Sequence, residues 1–138
     1  MKEVNKASRK LPYTVLQADN SAHVVKDLPT GITAYISYKG YASGTTRVHA
    51  IDPETIVMER TREDGTVVMS VCTPDLGITD KAYTTPQASQ SLARTVVLDG
   101  NWKLQQPHPQ VEAQVQDGKT VLRVACLHGQ PVEFSLAR

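Results

Sequence analysis

The chain has 138 residues, of which 40% are hydrophobic and 21% charged, with a formal net charge of +1; that length and balance describe one globular domain able to bury its own core, and exclude a disordered chain. No stretch approaches the roughly 20 apolar residues of a membrane-spanning helix. Lys2, Lys6, Arg9 and Lys10 crowd the start against Glu3 alone, so the remainder is slightly acidic and lacks the basic body expected of a nucleic-acid binder.

In chain order, residues 1–11 read as a linker or tail. They are polar and basic with no apolar run, unlike a signal peptide. Such a start suits an internal fragment as well as a cytosolic protein. From residue 12 to 138 the pattern is one of short strands and turns. Runs rich in Val, Ile, Thr and Tyr occur at Tyr13–Ala18, Ala22–Lys26, Ile32–Tyr38, Thr46–Ile51, Thr55–Thr61 and Thr66–Cys72, and such side chains suit a pleated, half-buried surface. After an irregular stretch over 74–92 come Ala93–Leu98, Trp102–Gln105, Val111–Gln116, Thr120–Leu127 and Val132–Leu136. Asp64-Gly65 and Asp117-Gly118 lie between such runs and predict tight hairpins, because Asp-Gly tolerates the positive φ angles of those turns. Asp19-Asn20-Ser21, Pro29-Thr30-Gly31, Asp52-Pro53, Thr73-Pro74-Asp75 and Asp99-Gly100-Asn101 are further turn signals.

No segment carries a clean apolar stripe of helical period. About ten short strands with frequent turns and no helix predict an all-β fold, a two-sheet antiparallel β-sandwich. Alternation assigns Leu122, Val124 and Cys126 to the core, and likewise Val132, Phe134 and Leu136. In Thr66–Cys72 the inward set is Val67, Met69 and Val71 or else Val68, Ser70 and Cys72, the first being the more apolar. Cys72 and Cys126 fit no metal or redox spacing. They read as buried thiols, with a disulfide between strands as the alternative in an oxidising compartment.

Little in the sequence carries chemistry. Among His23, His49, His108 and His128, only His128 has a close thiol, Cys126, and two ligands make no zinc site. His49 near Asp52 and Glu54 is an acid–base arrangement in outline, but more simply a polar strand end. Glu63-Asp64 are solvated turn residues. There is no nucleophile elbow, phosphate loop or zinc-protease motif. No catalytic residue, metal or cofactor is therefore expected. Glycan binding needs exposed aromatic faces and a few directed polar groups. If Tyr35 points inward, Tyr38 points out, and Tyr38, Lys39, Tyr41 and Arg47 would form an exposed corner. Trp102 is a further sugar platform if it is not core.

Several segments together resemble the C-terminal domain of polysaccharide lyase family 8, which groups chondroitin, hyaluronan and xanthan lyases, and among these the chondroitin ABC lyases most. The segment Val15–Asp27 is similar to the family's V-L-x-x-D-x-x-A-H-V-V opening, and Gly31–Tyr38 to its G-x-T-A-Y strand. The hairpin Glu63–Leu76, the residues Val97, Leu98, Gly100 and Trp102, and the closing Gly129–Leu136 follow in family order. Cys72-Thr73 departs from the family, where Ser-Asp is common. The resemblance implies a non-catalytic C-terminal domain of a secreted or periplasmic bacterial lyase that cleaves uronate-containing polysaccharides by β-elimination. It implies partners in the helical catalytic domain and central β-sandwich of the same parent chain, with acidic polysaccharide as a further one. It places the reactive residues on the helical domain, so none is carried onto this chain. An independent carbohydrate-binding module for acidic glycans and an immunoglobulin-like interaction domain are the competing readings.

Overall fold

The computed structural model describes residues 12–43, 45–74, 91–127 and 129–138. The expected tail, most of the irregular 74–92 stretch and His128 lie outside the described residues. Within them the chain forms twelve strands and no helix: β1 (Tyr13–Ala18), β2 (Ala22–Asp27), β3 (Thr33–Ser37), β4 (Tyr41–Ala42), β5 (Val48–Ile51), β6 (Thr55–Thr61), β7 (Val67–Cys72), β8 (Ser91–Asp99), β9 (Lys103–Leu104), β10 (Val111–Gln116), β11 (Lys119–Leu127) and β12 (Val132–Ala137). One sheet has seven strands in the order β1-β2-β3-β6-β7-β12-β9; the other has five in the order β10-β11-β8-β5-β4. All pairings are antiparallel. The expected all-β sandwich is what forms.

The core lies between the sheets and follows the period-two alternation. Leu122, Val124 and Cys126 are fully buried from one sheet; Val67, Met69, Val71, Val132, Phe134 and Leu136 face them from the other. Side chains of this kind contribute about 1.5–3 kcal/mol each when fully buried. The register decides between the two alternatives for β7, since Val71 stands opposite Val132 and Met69 opposite Phe134, which already face the core.

Two expected hairpins form. Asp117 and Gly118 both take positive φ, 52° and 75°, the conformation of a two-residue turn matched to strand twist. At Asp64-Gly65, the Asp64 carboxylate accepts the Thr66 N–H while Gly65 supplies φ +88°.

The third turn behaves differently. After Asp99 the chain leaves the five-stranded sheet and enters the seven-stranded one as β9. The expected strand over Trp102–Gln105 therefore shrinks to Lys103–Leu104. Trp102 occupies the crossing point. Its backbone N–H donates to Thr120 Oγ1 at 2.8 Å and its indole N–H to Asp99 O at 2.9 Å.

A polar clasp bridges the sheets near that crossing. Arg47, just ahead of β5, donates Nε and Nη2 to the two carboxylate oxygens of Glu59 on β6, at 2.9 and 3.0 Å, and Nη2 also to Thr61 Oγ1 at 2.6 Å. Glu59 is only 5% exposed, so its charge requires this partner.

Cys72 and Cys126 are free thiols, half-buried and buried respectively. Burial pushes both thiol pKa values up, which favours the inert neutral form.

Candidate functional site

An antiparallel sheet packed on one side normally turns polar residues to water on the other. The five-stranded sheet is mixed: the outward rows Glu112–Arg123–Thr95 and Gln116–Lys119–Asp99 are polar, and the row between them reads Gln114–Val121–Val97–Ala50–Ala42. The seven-stranded sheet carries larger apolar side chains outward. One outward row reads Val15–Val25–Ala34–Met58–Ser70–Glu133 from β1 to β12. The next reads His23–Ile36–Ile56–Cys72. Val15 is 52% exposed, Met58 42% and Ile36 36%. Exposed apolar sheet surface of this kind is the type that binding partners and neighbouring domains use.

The strands themselves make this face. β3, β6 and β7 carry apolar residues at both parities, so each buries one set and leaves the other on the outside. The seven-stranded sheet also outgrows its partner: five of the six β1 residues are exposed and the sixth half-buried. Leu16, 46% exposed, is the extra residue of a bulge between Val15 and Gln17. β1 thus adds nothing to the core and widens the outer surface.

The five residues expected to touch sugar do not share a surface. Tyr35 is buried and Tyr38 points outward, as alternation requires, with Tyr38 43% exposed. The Tyr38 hydroxyl lies 2.8 Å from His23 Nδ1, the two rings meeting edge to face. Lys39 beside it is exposed. Tyr41, in contrast, begins a strand of the other sheet and turns inward. It is 4% exposed, its ring meets Tyr35 edge-on at 5.3 Å, and its hydroxyl bonds Thr46 Oγ1. Arg47 is held by Glu59 and Thr61. Trp102 is likewise 4% exposed, with Arg47 over its ring at 5.7 Å and Arg138 at 4.7 Å, so no sugar ring reaches its faces. The expected corner of Tyr38, Lys39, Tyr41 and Arg47 is therefore corrected to Tyr38 and Lys39 on the outer surface, with the other two in the sandwich.

Nor does an acid–base centre form at His49. Asp52 accepts the Thr95 backbone N–H at 2.7 Å and so closes off the β5–β8 pairing. His49 lies instead 3.8 Å from Asp99 on an exposed surface. Among the described residues no group of three or more His, Cys, Asp or Glu side chains is placed to hold a metal ion, and no helix is long and apolar enough to cross a membrane.

No family model matches the chain. It is 27% identical over 125 residues to the chondroitin sulfate ABC endolyase of Proteus vulgaris, an alignment covering 91% of this chain and 12% of that protein. It is 29% identical over 153 residues to the chondroitin sulfate ABC exolyase of Bacteroides thetaiotaomicron, covering 95% of this chain and 15% of that one. The fold matches the chondroitin AC lyase of Streptomyces coelicolor A3, solved in complex with chondroitin sulphate, with a TM-score of 0.63 at 19% identity over 97% of this chain and 16% of that chain. A point mutant of the same enzyme gives 0.64. The homologues of this chain are chondroitin sulfate ABC lyases, and it corresponds to a small part of each.

Proposed function

We propose that the chain is the non-catalytic C-terminal domain of a secreted or periplasmic bacterial glycosaminoglycan lyase, and that it braces the helical catalytic domain and central β-sandwich of that lyase by packing against them. The observation that carries this reading is the apolar outer face of the seven-stranded sheet, on which Val15, Ile36 and Met58 are exposed. The alignments support it, because most of each relative's length lies beyond the part this chain matches. The other portions of such a polypeptide are the natural occupant of the face: domains of one chain are held at high effective concentration and meet through surfaces of this kind.

The test has two arms. The purified chain is incubated with chondroitin sulfate and the unsaturated uronate product is followed by its ultraviolet absorbance. No product is expected, and its formation would overturn the non-catalytic assignment. In the second arm, deleting this domain from the full lyase is expected to lower the melting temperature of the remainder. An unchanged melting temperature would remove the bracing role.

A further inference from the structure

One residue on the outer face of the seven-stranded sheet is out of character with its row. The row His23–Ile36–Ile56–Cys72 crosses β2, β3, β6 and β7. Of these four, only His23 has a side chain that ordinarily gains a charge between about pH 5 and 8. It is half-buried, stands opposite Ile36, and lies one row from Val25, Ala34 and Met58.

The Tyr38 hydroxyl fixes the ring. It lies 2.8 Å from His23 Nδ1, and the two rings meet edge to face. A neutral imidazole can take the hydroxyl proton on a bare Nδ1. Protonation puts a hydrogen on Nδ1 as well, so the hydroxyl must turn round to accept, and its own proton then needs another acceptor. In contact with water both changes cost little. Beneath a covering domain, the imidazolium and the reversed hydroxyl are cut off from water, and a buried charge without a counter-ion is costly.

The surroundings supply no such counter-ion: His23 takes part in no ion pair among the described residues. β1 presents Ala18 opposite it and β3 presents Ile36, both uncharged. The turn between β1 and β2 brings Asp19, whose carboxylate already accepts the Ser21 and Ala22 N–H groups and the Gln17 side-chain amide. The segment after β3 brings exposed Lys39 beside Tyr38. Glu54 meets Tyr38 through the backbone, its N–H donating to Tyr38 O. Along β2 the next outward residues are Val25 and Asp27, and Thr30 holds the Asp27 carboxylate. Asp19 favours the imidazolium and Lys39 opposes it. Neither bonds the ring, so a charged His23 depends on water.

We propose that His23 makes docking of this face pH-dependent: neutral, it lets the rest of the parent polypeptide cover the row, and protonated, it opposes that cover. The occupant is the remainder of the lyase, as in the docking reading on which this rests, since most of each relative's length lies outside the matched part. Docking is therefore favoured above the ordinary histidine range and weakens below it. One pH unit below an ordinary histidine value of about 6.5, roughly ten in eleven imidazoles are charged, so an interface that accepts only the neutral ring weakens about tenfold.

Met58, 42% exposed in the adjacent row, supplies the probe. Hydrogen peroxide transfers one oxygen to its thioether sulfur and leaves as water, giving the sulfoxide. Mass spectrometry follows the rate in the isolated chain and in the full lyase at about pH 7.5 and about pH 5.5, on either side of the ordinary histidine range. In the isolated chain the two rates are expected to be equal. In the full lyase Met58 is expected to be protected at the higher pH and to oxidise about tenfold faster at the lower. His23→Gln keeps a hydrogen-bonding side chain beside Tyr38 but cannot be charged, and is expected to stay protected at both. His49→Gln, on the other sheet, is expected to keep the parent's pH dependence. Equal protection at both pH values in the parent lyase, unchanged pH dependence or lost protection in His23→Gln, or loss of the pH dependence in His49→Gln would each overturn the role of His23 and leave docking itself standing. Equal reactivity of Met58 in the isolated chain and the full lyase at both pH values would overturn docking, and the role of His23 with it.

Discussion

The hydroxyl of Thr120, a fully buried residue, accepts the Trp102 backbone N–H and donates to Gly100 O, both at 2.8 Å. Thr120→Val keeps the shape and strands both backbone groups, so it is expected to cost about 1–3 kcal/mol in urea unfolding. Glu59→Gln leaves the partly buried Arg47 without its counter-ion, and a loss of about 2–4 kcal/mol is expected by the same measurement. Two exposed aspartates give the pH dependence its sign. Backbone N–H bonds from Ala22 and Ser21 hold Asp19 below its ordinary pKa, and the Thr66 hydroxyl and N–H do the same for Asp64. A carboxyl depressed in the folded state binds protons more readily when unfolded. Its stabilisation is therefore intact above the ordinary aspartate range and is lost as pH falls through the lowered folded values. Melting temperature is expected to drop across that acid window in the parent, and less in Asp64→Asn.

At the scale of elements, the hairpin joining β10 and β11 offers a paired comparison. A Cβ on Gly118 would meet nothing within 4 Å, whereas on Gly100 it would lie 3.4 Å from the Trp102 indole nitrogen; both residues have positive φ. Gly118→Ala is expected to cost about 1 kcal/mol, the left-handed penalty alone, and Gly100→Ala more, as compared by thermal unfolding. Within β11, Leu122→Ala is expected to cost about 2–5 kcal/mol for its emptied core position. These elements were legible because period two acts locally: Asp117-Gly118 announces the hairpin, and the Leu122–Val124–Cys126 parity announces its buried side. β4 was not, since it is two residues long and owes its existence to a neighbouring strand, and β9 was placed but drawn too long, over Trp102–Gln105. Trp102 was left open between core and sugar platform for a related reason. Nothing local says that the chain changes sheets after Asp99, and that change is what buries the ring.

At the scale of the molecule, the two sheets are unequal in width and in what they show to water. The signal for the apolar outer face was present in the sequence as apolar residues at both parities of β3, β6 and β7. The strand order that assembles them into one surface was not, because it depends on long-range pairings such as β3 with β6 and β7 with β12. The measurement that tests the central claim most directly is a pair of melting curves on the variant Ile36→Asp/Met58→Asp, once in the chain alone and once in the full lyase. If the outer face of the seven-stranded sheet is a docking surface, the two substitutions are nearly silent in the isolated chain, within about 0.5 kcal/mol each as for ordinary exposed positions, and lower the melting temperature of the full lyase. Equal effects in both contexts, or none in either, would contradict it.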